Sequence, residues 1–269
     1  MEAYPPDTTE AEKLAAFGAA LARIDGEVDW RLLGQTYCDG GGEDFFTPEA
    51  REANVDAALL FAADLGERLA PGGTSLYVGA GVAELPLLVF EALVLEREVR
   101  VVTLDGFEPR ELNRALEAAG AAVGQALPNF EVDGLTGLDL AADHLWLVSV
   151  LTDPDAFPAL HDTLYERRAG DELATGRGHL ADDRERARAL VEEALDHLAP
   201  TAALVTTTDE EWTLVGPALG RRGRAAEVPS GGRLSAIVGD VVRLVAVGPA
   251  DPDASAGSGG RGEAGEPSP

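Results

Sequence analysis

The spacing of apolar residues changes near residue 70, and this change divides the predicted elements into two groups. Before it, apolar positions such as Phe17 and Leu21 recur at helical spacing. Thr9–Glu12 has the form of a capping box, and Thr47–Glu49 supplies an N-cap, a first-turn proline and a first-turn acid. Residues 1–70 are therefore predicted to form a helical extension that packs against the sheet as a cap or a flank.

From residue 75 onward, short apolar runs alternate regularly with helical patterns. The runs predict strands at Ser75–Val78, Val99–Leu104, Phe130–Val132, His144–Leu151 and Ala202–Thr207. Helical patterns are predicted at Ala83–Glu96, Glu108–Ala119, Pro158–Arg168, Asp182–Leu198 and Glu210–Leu219, with Asp182 and Glu185 as a further capping pair. Alternation of this kind indicates a parallel sheet that is covered by helices on both faces.

The last two apolar runs form an exception to the parallel arrangement. Leu234–Val238 and Val241–Val247 flank Gly239-Asp240, a two-residue hairpin signal, and such a short turn joins only antiparallel strands. We therefore predict a doubly wound, mostly parallel seven-stranded α/β sheet with a C-terminal antiparallel hairpin. This domain covers residues 71–249.

The remaining residues, 250–269, are rich in Gly, Pro, Ser and acid, and contain almost nothing to bury. A segment of this composition is predicted to be a disordered tail, because it cannot offset the entropy of folding by apolar burial.

The charge of the chain excludes several kinds of partner. It has 21 basic and 48 acidic residues, a formal net charge of −27. Proteins that bind nucleic acid or anionic membranes normally present a basic face, so we expect neither partner here. The N-terminus lacks the apolar core of a signal peptide, and no run approaches the ~20 apolar residues of a membrane helix. These features favour a cytoplasmic protein.

The cysteine and histidine content argues against a disulfide or a metal site. Cys38 is the only cysteine, so no internal disulfide can form. The four histidines make no pair at metal-ligating spacing. We expect Trp146 to lie in the core, because it stands inside an apolar strand.

Candidate chemistry is concentrated at the ends of the first two strands. The segment SLYVGAGVAE carries an apolar run into a Gly79-Ala80-Gly81 turn and then into a helical pattern, and VRVVTLDG ends on Asp105. Glycines allow a backbone to approach a ligand, a helix N-terminus offers unpaired N–H groups, and an acid at this position binds ribose hydroxyls. Together they predict a nucleotide pocket.

This arrangement resembles the class I S-adenosylmethionine-dependent methyltransferases, across roughly residues 47–248. That family has five parallel strands and a C-terminal hairpin with one antiparallel strand, and its glycine loop follows the first strand. The resemblance implies that Gly79 and Gly81 admit the methionine end of S-adenosylmethionine and that Asp105 binds its ribose. It implies that Asp133, at the end of the third strand, contacts the adenine.

The sequence departs from the family at two places. The family usually carries an acid two positions before the first glycine, where this chain has Tyr77. We include Glu84, just inside the following helix, among the cofactor-binding residues as a partial substitute. After the fourth strand only Asp153-Pro154 remains of a family substrate motif, which makes Asp153 a substrate candidate, although capping of the next helix is the simpler explanation. No residue is assigned a catalytic role.

The resemblance implies methyl transfer from S-adenosylmethionine to a small-molecule or protein acceptor. Two alternatives stay open. One is a non-catalytic scaffold or interaction protein that has lost cofactor binding. The other is an NAD(P)-dependent oxidoreductase, which is disfavoured because Glu84 stands where the dinucleotide fingerprint has its third small residue. A carboxylate there opposes the pyrophosphate charge.

Overall fold

The computed structural model describes residues 9–37, 42–103, 106–132, 134–165, 168–169, 172–173, 178–237 and 239–251. The helices in these segments are α1 (Glu10–Glu27), α2 (Trp30–Tyr37), α3 (Pro48–Arg68), α4 (Leu85–Leu93), α5 (Phe107–Val123), α6 (Pro158–Leu164), α7 (Leu180–Asp196) and α8 (Asp209–Arg221). The strands are β1 (Thr74–Val78), β2 (Glu98–Val102), β3 (Phe130–Glu131), β4 (His144–Leu147), β5 (Arg168–Ala169), β6 (Glu172–Leu173), β7 (Ala203–Thr208), β8 (Ala226–Glu227), β9 (Arg233–Leu234) and β10 (Val241–Val247). Single 3₁₀ turns lie at Gly42–Asp44 and Val82–Glu84.

The main sheet has the strand order β3-β2-β1-β4-β7-β10-β8, and β9 also pairs with β10. The pairs from β3 to β7 are parallel. β10 is antiparallel to β7, β8 and β9. The prediction of a mostly parallel sheet closed by an antiparallel strand is therefore confirmed. An eighth strand is present because β8 and β9 pair separately with the two ends of β10.

Two apolar cores lie on opposite faces of this sheet. Successive side chains of a strand point to opposite faces, so Tyr77 lies in one core and Leu76 in the other. The first core also contains the buried faces of α1, α3, α4 and α5, and the second contains those of α6, α7 and α8. The helices that precede the sheet are thus packed into the core on one of its two faces.

Helix α4 is apolar at every residue except Glu91, and most of its residues are buried. It contacts α1, α3 and β2, and its residues Leu87, Leu88 and Val89 are almost fully buried. Phe90 meets Phe17 of α1 edge to face, with ring centroids 5.9 Å apart. An extension that covers α4 therefore protects a helix that would otherwise expose a large apolar surface.

The predicted helix starts are confirmed at two places and wrong at one. Thr9 and Glu12 form the capping box at α1, and Thr47 accepts the N–H of Ala50 at α3. The predicted capping pair Asp182–Glu185 does not start α7, which begins two residues earlier at Leu180. Asp183 instead accepts the N–H groups of Ala159 and Leu160, so the acids of this turn join α7 to α6.

The second helix of the α/β alternation ends later than its sequence suggested. α5 continues through Gly120 to Val123, and Gly124 is the left-handed C-cap with φ 71°. Gly120 is required for packing rather than for termination, because a Cβ there would lie 2.6 Å from the carbonyl oxygen of Gln125.

The closing hairpin differs from the two-residue turn that was predicted. Leu234 pairs with Val241, so the connection between the two strands is longer than two residues. The hydroxyl of Ser235 accepts the N–H groups of both Gly239 and Asp240, which stabilises this wider turn. The loop turns Asp240 inward, where it is 6% exposed.

The predicted tail, 250–269, lies outside the described residues except for its first two positions. In the described part of the chain, no helix is both long and apolar enough to cross a lipid bilayer.

Candidate ligand site at the carboxyl edge of the sheet

The strand order reverses beside β1, and this reversal opens a crevice at the carboxyl edge. β1 leads through α4 to β2 on one side, whereas β4 lies against its other side. In open α/β sheets, ligands bind in such a crevice. The glycine loop leaves β1 here, and Gly79 has φ 69°, a left-handed conformation that favours glycine. The predicted strand–glycine turn–helix unit is therefore present.

Both glycines are closely approached by side chains of the same chain. A Cβ on Gly79 would lie 2.6 Å from a methyl group of Val150, and one on Gly81 would lie 2.8 Å from Oε1 of Glu108. The hydroxyl of Tyr37 is 3.1 Å from the same Gly81 position. The glycines are thus needed for internal packing as well as for any ligand.

Two carboxylates accept the backbone N–H groups of the glycine loop. Oε2 of Glu84 accepts the N–H of Gly81 at 2.9 Å, and Oε1 of Glu108 accepts the N–H of Val82 at 2.9 Å. Tyr37, at the end of α2, donates its hydroxyl to the same Glu108 oxygen at 2.6 Å. The donors that a phosphate would use at a helix N-terminus are therefore already paired with negative groups.

Burial changes the ionisation of these side chains. Burial of its carboxyl group raises the pKa of Glu84 to about 7, and the neighbouring charge of Glu108 adds to the effect. Burial also raises the pKa of Glu108, with a contribution from Asp153. The pKa of Tyr37 is raised well above 10 by burial and by Glu108. Such an edge favours a cationic group and disfavours an anionic one.

Of the residues predicted from the sequence, Gly79, Gly81 and Glu84 lie together at this edge. Asp153 is near enough to raise the pKa of Glu108, but its Oδ1 accepts the N–H groups of the residues two and three positions later, as in a local turn. Asp105 and Asp133 lie outside the described residues.

Glu108 and Tyr37 were not singled out from the sequence. Tyr37 meets Glu108 across 71 residues of chain. Local patterns carry no signal for such a contact.

Tyr77, which replaces the family acid before the first glycine, belongs to a buried polar network rather than to the crevice. Its hydroxyl donates to Glu91 of α4 at 2.5 Å, and Ser75 also donates to Glu91. Arg97 and His144 lie 3.2 Å and 3.1 Å from the same carboxylate. A side chain directed at α4 is not available to a ligand in the crevice.

A second carboxylate, that of Glu211, accepts backbone N–H groups just after the end of β4. Ser149 has φ 58°, and its N–H and those of Val150 and Leu151 all donate to Glu211 of α8, at 2.7–3.1 Å. Burial raises the pKa of Glu211 to about 7, although these donors favour its charged form. The sequence held a signal only for the local contact of Glu211 with Thr208, because these two residues have capping-box spacing.

A polar cluster adjoins this turn. Asp240 accepts the hydroxyl of Ser149 at 3.0 Å and that of Tyr165 at 2.6 Å. The three residues come from different elements and meet beside the carboxyl end of β4, so the edge carries hydrogen-bonding groups as well as apolar ones.

Two cavities differ in their relation to the crevice. A groove of about 680 Å³ is lined by Arg110, Asn113 and Gln125 on the outer side of α5, away from the glycine loop. A cavity of about 20 Å³ lies at the carboxyl edge, between α3, Glu84, Trp146 and the loop at Ser235. Trp146 is 2% exposed and stacks on Tyr77 at 5.4 Å between ring centroids, which confirms the prediction that it is a core residue.

These observations define the fold as that of the class I methyltransferases. Parallel strands lead to a closing set in which one strand, β10, is reversed, and the first strand is followed by a glycine loop and a helix.

The solved structures that are similar to this chain include three methyltransferases. A methyltransferase from Pyrococcus furiosus is 14% identical with a TM-score of 0.41, over 71% of this chain and 81% of its own. Magnesium protoporphyrin IX methyltransferase from Synechocystis PCC 6803, with bound SAM, is 13% identical with a TM-score of 0.47, over 86% and 97%. Precorrin-6y C5,15-methyltransferase from Geobacter metallireducens GS-15 is 11% identical with a TM-score of 0.40, over 71% and 85%. No family model and no curated protein matches the sequence.

Proposed function

We propose that the chain binds S-adenosylmethionine and transfers its methyl group to a small-molecule or protein acceptor. The observation that carries the proposal is the glycine loop at the reversal of strand order, where Gly81 and Val82 face carboxylates. S-adenosylmethionine carries positive charge on its sulfonium and on its ammonium group, so it suits these negatively charged carboxylates. Dinucleotides present a pyrophosphate instead, and the occupied N–H groups disfavour them.

The proposed roles of the residues follow the resemblance and the geometry. Gly79 and Gly81 would border the methionine end of the ligand, with Glu84 beside them. Asp105 would bind the ribose, Asp133 the adenine, and Asp153 would lie on the acceptor side.

Methyl transfer depends mainly on alignment. When bound, S-adenosylmethionine supplies an electrophilic methyl group, and the chain's residues need only hold the acceptor in line with it. An acceptor with a high pKa would also need a base. Asp240, beside the end of β4, is a carboxylate in reach of that side of the crevice.

Calorimetric titration with S-adenosylmethionine, S-adenosylhomocysteine and NAD(H) tests the proposal. We expect micromolar binding of both sulfur compounds, about −8 kcal/mol, and no binding of NAD(H). An Asp105→Ala variant should bind both sulfur compounds at least about tenfold more weakly, because each lost hydrogen bond to a charged group contributes about 1.5–3 kcal/mol. Unchanged affinity in that variant would remove Asp105 from the site.

The close packing of the glycine loop favours a second candidate function. Val150 fills the space beside Gly79, and Tyr37 and Glu108 fill that beside Gly81. A scaffold that retained the fold and lost the ligand would have this appearance. In that case none of the three compounds binds, and the wild-type protein melts at the same temperature with and without them.

A further inference from the structure

We propose that Glu108 receives the ammonium group of the ligand, and that the hydroxyl of Tyr37 occupies the place of that group until the ligand binds. This inference rests on the proposed function, because it concerns the same crevice. It adds a residue of α5 and a residue of the N-terminal helices to the site.

The geometry of Glu108 supports this role. One of its oxygens, Oε1, lies between the glycine loop and α2, where it accepts the N–H of Val82 at 2.9 Å and the hydroxyl of Tyr37 at 2.6 Å. The same oxygen is 2.8 Å from the position of a Cβ on Gly81. This oxygen therefore borders the glycine loop directly, and a donor is already bound to it.

Tyr37 can leave this position without unfolding the helix that carries it. Its ring stacks on Phe45 at 5.5 Å and meets Phe46 edge to face at 5.2 Å, so its packing does not depend on the hydroxyl. Phe45 is itself 38% exposed, which places this aromatic group near the surface. A small movement of α2 thus exchanges one donor on Glu108 for another.

The charge of the crevice determines which end of an amino-acid group enters it. Glu84 and Glu108 already accept adjacent N–H groups, and Asp153 adds a further negative charge nearby. A ligand carboxylate would meet repulsion there, whereas an ammonium would form a charge-assisted hydrogen bond. The carboxylate of the ligand is therefore expected to point away from this loop.

Trp146 lies beside Glu84 at this edge. Trp146 and Glu84 line the same cavity of about 20 Å³. Burial has the larger effect on the pKa of Glu84 and raises it, whereas a hydrogen bond from the buried indole favours the charged form and lowers that pKa. An ammonium group nearby would favour the same charged form.

Four ligands distinguish the contribution of the ammonium group to binding from the contributions of the other groups. S-adenosylmethionine and S-adenosylhomocysteine carry both ammonium and carboxylate, decarboxylated S-adenosylmethionine carries only the ammonium, and methylthioadenosine carries neither. Each is titrated calorimetrically against wild type, Glu108→Gln and Tyr37→Phe. Glu117→Gln is the matched control, because Glu117 is an exposed acid of the same helix.

We expect Glu108→Gln to weaken the binding of the three ammonium-bearing ligands at least about tenfold. The affinity for methylthioadenosine should stay unchanged. Tyr37→Phe should tighten the same three, because it removes the competing hydroxyl and keeps the ring. Decarboxylated S-adenosylmethionine should bind wild type at least as tightly as S-adenosylmethionine does. Glu117→Gln should match wild type for all four.

The outcomes that overturn the inference differ from those that overturn the proposed function. If Glu108→Gln weakens methylthioadenosine as much as the others, its effect is structural and the inference is wrong. Equal affinities in wild type and Tyr37→Phe contradict it even where Glu108→Gln does not fold. If no ligand binds either wild type or Tyr37→Phe, the proposed function itself fails.

Discussion

Replacement of Glu91 by Gln tests whether the buried network stabilises this fold. The side chains of Glu91 and Arg97 are both 0% exposed. Ser75, Tyr77, Arg97 and His144 all direct polar atoms at the Glu91 carboxylate. An amide of the same shape has one acceptor oxygen, and its NH₂ group would face donors on the other side.

The size of the expected loss in stability depends on the contacts that Arg97 retains in the variant. Arg97 keeps its bonds to Asp143 and to the carbonyl of Ala70, so its charge is only partly uncompensated. Removal of one partner of a buried pair destabilises a protein by about 3–5 kcal/mol. We therefore expect a loss near the lower limit, about 3 kcal/mol in the free energy of unfolding. For a chain of this size this lowers Tm by about 6–12 °C.

Urea denaturation at pH 7, followed by circular dichroism, measures this loss. Glu98→Gln is the control, because Glu98 begins β2 with a side chain that is 62% exposed. Its effect should stay within about 0.5 kcal/mol. If Glu91→Gln changes the free energy of unfolding by less than about 1 kcal/mol, the network does not hold α4 against β1 and β4 as its contacts suggest.

Three further predictions concern the same edge of the molecule. Tyr77→Asp places an acid where class I methyltransferases usually carry one, and it should destabilise the protein by more than about 4 kcal/mol, because it leaves a void against Trp146 and a second carboxylate beside Glu91. Recovery of stable protein would show that the position is open to the crevice. Gly79→Ala should destabilise by about 1–3 kcal/mol through its left-handed backbone and its clash with Val150. Gly79→Ala should destabilise the protein less when Val150 is also replaced by Ala. A double-mutant cycle in urea would measure the difference. Finally, the pKa of Glu84 is about 7 in the folded protein and 4.5 as its ordinary value, so the folded state holds more protons between these values. Wild type should therefore lose stability relative to Glu84→Gln as pH rises from 5 to 8; a difference that stays constant with pH would contradict this.

The sheet could be predicted from the sequence because its signals are local. The apolar runs, the Gly79–Gly81 turn and the capping residues Thr9 and Thr47 each act within a few positions of the chain. The end of α5 was predicted too early, because a glycine after a helical pattern usually marks the end of a helix; the structure shows that Gly120 serves packing instead.

The contacts that shape the candidate site could not be predicted, because they join distant segments. Tyr37 reaches Glu108 across 71 residues, and Glu211 reaches the turn after β4 across about 60. The replacement of the family acid by Tyr77 was visible in the sequence. The reason for Tyr77 at this position was not visible, because it depends on a hydrogen bond to Glu91, which faces β1 from α4. An acid within the apolar run LPLLVFEALVL does indicate a buried partner, because such residues are rarely buried unpaired.

Acidic side chains are found at the carboxyl edge of the sheet as well as on the surface of the protein. Glu84, Glu108 and Glu211 each accept backbone N–H groups there, at the two turns where a parallel sheet usually offers those groups to a ligand. Carboxylates therefore occupy the donors of this edge, which makes it less suited to an anion than to a cation. A net charge of −27 raises the local concentration of cations around the molecule in the same sense. Salt should then weaken S-adenosylmethionine binding more than methylthioadenosine binding, because only the first ligand carries the charge that this field attracts.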